Sequence, residues 1–163
     1  MNYHSDYQRT LKIYFFLLLL LLLLPMCILY AQPLNGNYTI GGNSSDFLTL
    51  QEAANALKWR GVSGPVFMNI RPGVYMQDGG LSSVMILDSI ITSPTNRITF
   101  QPDESAGGNV ENVILQIDLT TQTSTALVNI QTDYTTIRNL TFQDVDSAEA
   151  GADYLLSINY TYF

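Results

Sequence analysis

Three patterns of hydrophobic and polar positions follow one another along the chain. The first is continuous: Ile13–Ala31 (IYFFLLLLLLLLPMCILYA) carries no charge, sits behind Arg9 and Lys12, and is followed by no Lys or Arg until Lys58. Such a run has no use inside a small soluble core but inserts readily into a bilayer, and its basic flank holds the amino end in the cytoplasm. Everything after residue 31 is therefore expected to be exported. Two forms of that expectation stand side by side. A basic start, an apolar stretch and Ala31 before the polar Gln32-Pro33 break describe a cleaved secretory signal, although Leu29 is larger than the usual small residue two before the cut. The 19-residue run also approaches the ~20 residues that span a bilayer, which describes a retained anchor. Residues 1–31 thus read as signal peptide or N-terminal membrane anchor, and 32–163 as the exported domain.

The second pattern has a helical period. Thr49-Leu50-Gln51-Glu52 fits a capping box, in which the Thr hydroxyl takes one orphan backbone N–H and the Glu carboxylate another. Leu50, Ala53, Ala54 and Leu57 recur at i, i+3, i+4 and i+7 and form one apolar stripe, with Gly61 as a left-handed stop. The spacing predicts a helix from Leu50 to Arg60. Ahead of it, Gln32–Asp46 is rich in Asn, Gly and Ser, with one strand-like piece, Tyr38-Thr39-Ile40.

The third pattern is alternation. Val66–Ile70, Val84–Leu87, Arg97–Gln101, Val113–Ile117, Ala126–Ile130, Tyr134–Phe142 and Leu155–Asn159 are short runs rich in Val, Ile, Leu, Thr and Phe between turn formers. Pairs such as Ile98/Phe100 and Val128/Ile130 place apolar side chains on one face. Strands at this spacing suit a β-sandwich or a β-solenoid. Three features favour the solenoid. Hairpin signatures are scarce after Gly61, Asp78-Gly79 being the one case. Asn139, inside Ile137–Phe142, stands where a stacked coil would turn a corner. A single helix before the strands suits a lid over the first coil, whose core and strand edge are otherwise open. The expected fold is all-β: a right-handed parallel β-helix with an N-terminal capping helix. At roughly 20–25 residues per coil, the residues after Gly61 make about four coils, above the three needed to bury a shared core. The strand-like end at Ile158–Phe163 reads as cut short.

Composition removes much chemistry. Residues 32–163 contain neither Cys nor His, which excludes disulfides, a thiol nucleophile, a Ser-His-Asp triad and an ordinary zinc site. Carboxylate, Arg, Lys or Tyr chemistry and an oxygen-ligated calcium ion are left. Five basic residues (Lys58, Arg60, Arg71, Arg97, Arg138) stand against thirteen acidic ones, a net charge of −8. Such a surface repels phosphate backbones, so nucleic acid is excluded as a partner. Membrane contact is expected only through residues 13–31.

Asp46-Phe47-Leu48-Thr49-Leu50-Gln51-Glu52-Ala53, followed by Gly64-Pro65-Val66 and Asn69-Ile70-Arg71-Pro72-Gly73-Val74-Tyr75, resembles the amino-terminal signature of pectin-lyase-like right-handed β-helix proteins. The arrangement is similar to the opening of pectin methylesterases. With Asn37–Gly42 and Gly61–Val66 it resembles more closely the large secreted surface proteins of gliding-type bacteria, and Tyr134–Phe142 resembles a family coil. The same residues have local roles. Pro72-Gly73 is a turn pair in which Gly accepts a positive φ, and Tyr75 is expected to lie over the first coil with its hydroxyl at the surface. In the esterases that this resembles, the catalytic Gln, two Asp and Arg sit on coils beyond the stretch matching Tyr134–Phe142. Residues after Phe142 carry no match to those motifs, so no catalytic, cofactor-binding or metal-ligating residue is assigned.

Several residues carry a functional reading beside a plainer one. Asp144, Asp146, Glu149 and Asp153 suit calcium or a solvated acidic turn, and their spacing does not fit a twelve-residue calcium loop. Asp103-Glu104 and Asp118 read as loop solubilisers. Arg71, Arg97 and Arg138 either ladder on one face to grip uronate carboxylates or pair with surface acids. Tyr134, Tyr154, Tyr160 and Tyr162 either stack on sugars or pack in strands. Asn37, Asn43, Asn139 and Asn159 open glycosylation triplets that turn chemistry explains more simply. Together these readings imply a surface scaffold or adhesion module that contacts polysaccharide or cell-surface glycan, without a cofactor. The alternative is a fragment of a pectin-type esterase or lyase whose catalytic coils lie elsewhere.

Overall fold

The alternating runs form parallel ladders. A computed structural model describes residues 3–23, 32–76, 85–117, 126–144 and 154–158, and the chain divides into the units Met1–Gln32 and Pro33–Phe163. In the first, α1 (Tyr3–Leu23) takes up the beginning of the apolar run; residues 24–31 lie outside the described residues. Leu11, Ile13, Phe15 and Leu18 on α1 are exposed. Among the described residues, no helix is long and apolar enough to cross a membrane.

The second unit begins with β1 (Leu34–Ile40), α2 (Leu50–Arg60) and β2 (Val62–Ile70). Then come β3 (Gly73–Tyr75), β4 (Met85–Asp88), β5 (Ile98–Pro102), β6 (Val113–Ile117), β7 (Ala126–Gln131), β8 (Thr135–Ile137), β9 (Thr141–Asp144) and β10 (Tyr154–Ile158). They lie in three sheets, of strand order β1-β2-β5-β8, β3-β6-β9 and β4-β7-β10. From β2 onward the chain visits the three sheets in strict rotation. Every ladder among the described strands is parallel, whereas a sandwich is built on antiparallel pairs.

Parallel register stacks like on like. Ile40 pairs with Ile70, and Val66 with Ile98. Met68 pairs with Phe100, Phe100 with Ile137, and Leu87 with Ile130. These side chains join one apolar cluster, and Phe100 is its largest fully buried member. Truncating such a residue to Ala costs about 3–5 kcal/mol.

The helix runs over the predicted residues. Thr49 Oγ1 accepts from Glu52 N at 3.0 Å, while Glu52 Oε2 accepts from Leu48 N at 2.8 Å, so the reciprocal bond reaches one residue further back than in the simplest box. Leu50, Ala53, Ala54 and Leu57 are buried in the strand core. Gly61 ends the helix at φ 71°, but its ψ of −175° lies outside the left-handed helical well that was expected. The polar side of α2 meets the outer edge of β4. Ile86 N, which no strand partners, donates to Gln51 Oε1 at 2.9 Å, and Lys58 Nζ pairs with Asp88 Oδ2 at 2.8 Å. The outer edge of β1 is closed differently: Phe47 N donates to Thr39 O and Gly41 N to Phe47 O, in a parallel bridge that buries the Phe47 ring.

Three local expectations change. Successive partners are 30, 32 and 37 residues apart in the first sheet (Gly36/Val66, Val66/Ile98, Ile98/Thr135), and 27 to 43 apart in the others (Ile114/Thr141, Met85/Val128). The repeat is thus longer than 20–25 residues, because the corners carry loops and a 3-10 turn at Glu104–Ala106. Gly73 is absent from the glycines of positive φ; it opens β3, an element too short to show alternation, and donates to Asn112 O at 2.8 Å. The Tyr75 hydroxyl is half-buried and donates to Arg71 O at 2.8 Å and Ile40 O at 3.3 Å, so it ties the first corner together. Asn139, by contrast, turns the corner between β8 and β9 at φ 57°, as expected.

Gln51→Ala removes the partner of a part-buried strand-edge N–H and is expected to lower stability by about 1 kcal/mol in urea unfolding, the net worth of such a hydrogen bond. Gly41→Ala sets a Cβ 2.1 Å from the Tyr75 hydroxyl at a φ of +87° and is expected to cost roughly 1–3 kcal/mol. Adding Tyr75→Phe removes the nearest clashing atom and recovers part of that loss in the same measurement.

Candidate functional site

The period-two alternation that sends Met68, Ile70 and Phe100 inward sends Asn69 and Gln101 outward. Parallel register then aligns Thr39, Asn69 and Gln101 across β1, β2 and β5. Arg138, the residue after β8, extends the row, its backbone N donating to Phe100 O at 3.0 Å. The side chains form a hydrogen-bonded ladder. Arg138 Nε donates to Gln101 Oε1 at 2.9 Å, and its NH2 donates to the same oxygen. Gln101 Nε2 donates to Asn69 Oδ1 at 2.8 Å, and Asn69 Nδ2 to Asn37 Oδ1 at 3.5 Å. This ladder floors a cleft of about 440 Å³ whose far wall is Asp103, Glu104 and Ser105.

Asp103 is not the solvated loop residue expected. It is 6% exposed, and its Oδ1 accepts from Ser105 Oγ at 2.6 Å and Ser105 N at 3.2 Å, initiating the 3-10 turn. Its Oδ2 faces Arg71 Nε at 3.9 Å. Gly108 packs so closely on the Asp103 backbone that a Cβ there would lie 2.7 Å from its carbonyl oxygen. The chain therefore holds the cleft wall rigidly. At the β1 end, Asp46 Oδ2 accepts from Thr39 N at 2.7 Å and Thr39 Oγ1 at 2.8 Å. The backbone bond from Thr39 is the largest cause of an Asp46 pKa below 3.8; partial burial opposes it, and the Thr39 hydroxyl and the Arg71 charge assist. Thr39 is thus spent on Asp46 and contributes little to the ladder.

A second cleft of about 440 Å³ lies between the start of α2 and β3, with Leu48, Val74 and Met76 on its rim. These three apolar side chains are more than half exposed. Tyr75 closes its floor, and burial pushes the hydroxyl pKa above 10 against the pull of Arg71. A phenol so placed stays protonated and acts as a donor.

The three arginines are not one ladder. Arg138 belongs to the amide row and Arg71 to Asp103 and Ser44. Arg97, at the other end of β5, lies 5.5 Å over the Tyr134 ring and donates to Pro94 O. Tyr134, at φ 48°, therefore spends one ring face on a cation. Asn43 and Asn139 are exposed, and Asn37 is in the ladder. Asp118, Asp146, Glu149, Asp153, Asn159, Tyr160 and Tyr162 lie outside the described residues. Asp144 and Tyr154 are placed in β9 and β10 by their backbone alone. Among the described residues, no three acidic, His or Cys side chains converge on a metal-sized space.

Sequence reasoning missed the amide row, although a signal was present. Asn69 and Gln101 stand 32 residues apart, a repeat-length spacing of the kind that stacks equivalent positions, and Asn37, opposite Phe67 in the register, reaches Asn69 diagonally. Compared with known proteins, the chain matches no family model, no curated protein and no solved structure.

Asp46 makes its contribution only while ionised. Because its folded pKa is depressed, that contribution is complete above about 3.8 and is lost as pH falls through the lower folded value. Asp46→Asn is expected to be less stable than the parent at pH 7, by a few tenths to about 1 kcal/mol after allowance for solvent screening. The difference between the two proteins should shrink as pH falls below 3.8 and through the depressed folded pKa.

Proposed function

We propose that residues 32–163 form the capped opening of an exported right-handed parallel β-helix that serves as a surface scaffold and contacts polysaccharide through its polar wall. Rotation of the chain through three parallel sheets supports the helix reading, and crossovers between parallel strands are right-handed in nearly all proteins. The burial of α2 against the core, with Gln51 and Lys58 on the edge of β4, supports its role as the cap. Export is supported by the run Ile13–Ala31 behind Arg9 and Lys12.

The glycan reading rests on one observation: the cleft of about 440 Å³ floored by Asn69, Gln101 and Arg138. Planar amides and guanidinium groups held by one another present fixed donors and acceptors, which is what hydroxyl-rich ligands require. A row held in place before binding loses little side-chain entropy when a ligand arrives. The acidic excess of residues 32–163 turns nucleic acid away from the same wall.

Full-length protein in nonionic detergent, mixed with a panel of insoluble neutral and acidic polysaccharides, should sediment with at least one of them. Arg138→Ala should reduce the bound fraction several-fold, the effect of losing a charge-assisted contact. Retention on none of the panel overturns the glycan reading. Digestion of intact producing cells with an impermeant protease should remove residues 32–163, and protection until lysis overturns surface exposure.

A further inference from the structure

The amide ladder has a direction. Hydrogen bonds run one way along it, from Arg138 to Gln101, from Gln101 to Asn69 and from Asn69 to Asn37. Each amide oxygen in the row accepts from the next rung. A primary amide carries two N–H groups, so Asn69 and Gln101 each use one along the ladder and keep a second, and Asn37 keeps both. Bonds chained head to tail polarise one another, which strengthens the remaining donors. The cleft therefore offers a row of N–H groups spaced like the strands that carry them, about 4.8 Å apart.

That spacing is close to the length one ring adds to an extended β-linked hexose chain. Successive rings can then set a ring oxygen or hydroxyl over successive rungs. Charge selects among such chains. Asp103 in the cleft wall is held by Ser105 and faces Arg71, which leaves Glu104 against Arg138, and Arg138 is already turned onto Gln101. A polyanion therefore finds no cation in excess along the cleft and meets repulsion from the acidic domain as a whole. Resting on the glycan-contact reading above, we infer that the ladder Asn37–Asn69–Gln101–Arg138 is a binding track for a neutral, extended β-linked polysaccharide, lying across the strands with about one sugar per rung. The amides donate to its oxygens, and the exposed Glu104 accepts from its hydroxyls, while the acidic domain disfavours uronates.

Affinity electrophoresis of the full-length protein in nonionic detergent tests this, with native gels containing glucomannan or polygalacturonate. Glucomannan should retard the protein and polygalacturonate should not. Gln101→Ala and Asn69→Ala should each weaken retardation roughly fivefold to tenfold, as loss of a neutral hydrogen bond does. Asn37→Ala, at the exposed end of the row, removes a rung without breaking the ladder behind it and should weaken retardation less but measurably. Circular dichroism of each variant identifies any that fail to fold. Retardation by polygalacturonate alone overturns this inference while leaving glycan contact in place. Retardation by neither polymer overturns it outright, as does retardation by glucomannan that is unchanged in folded Asn37→Ala and Gln101→Ala proteins.

Discussion

Parallel, in-register pairing is the constraint on which the rest of the structure depends. Side chains alternate along a strand, so a slip of one residue would carry Met68 and Phe100 to the surface and Asn69 and Gln101 into the core. Apolar contact between Val66 and Ile98, or Leu87 and Ile130, therefore fixes the register from inside. The outer amide row follows from that register. Once Met68 lies on Phe100, Asn69 has no neighbour to choose but Gln101. The polar wall inherits its order from the core, and its hydrogen bonds need supply only the last adjustment of side-chain angle.

A parallel stack has a cost at its first strands, whose outer backbone groups lack a ladder. The chain meets it with short-range chemistry. On β4, the Ile86 N–H is taken by a glutamine on the polar side of α2, while the opposite side of that helix buries Ala53 and Leu57. On β1, the loop returns through Gly41 and Gly42, both at positive φ, and lays Phe47 alongside Thr39. Asp46 then locks the return through the Thr39 amide and hydroxyl. Such devices keep an exposed edge from recruiting another strand. With Cys27 as the one cysteine in the chain, they also do work that disulfides perform in many small exported domains.

The helix was legible to the residue because its cap, its stripe and its stop are all local signals. Strands β2, β5, β6 and β7 were legible within a few residues, since each contains a five-residue run rich in Val, Ile, Leu or Phe between turn formers. β3 was not: three residues, Gly73, Val74 and Tyr75, cannot display a period, and their placement depends on β6, forty residues later. Gly73 was misread for the same reason, because Pro-Gly carries a local turn preference that the partner strand overrides. Asp103 looked like any acidic loop residue. Its burial comes from Ser105, Arg71 and the close approach of Gly108, none of which is visible from composition. In the amide row, neither Asn69 nor Gln101 is unusual alone, and only their 32-residue offset, shared with the other pairs of β2 and β5, marks them.

Repeat length varies unevenly among the three sheets. Partner offsets in the first sheet are 30, 32 and 37, whereas those in the other two swing between 40 and 27 and between 43 and 28. The extra residues lie between β5 and β6, around the 3-10 turn at Glu104–Ala106, and the short connection from β7 to β8 offsets them, so the offsets of the first sheet vary less than those of the other two. Loop-closure entropy grows only slowly with length, so such insertions are thermodynamically mild. The ladder sets the distance between paired strands at about 4.8 Å whatever the loop lengths, so the stacking of Asn69, Gln101 and Arg138 does not depend on them. Loops elsewhere can therefore change length without displacing Asn69 from Gln101.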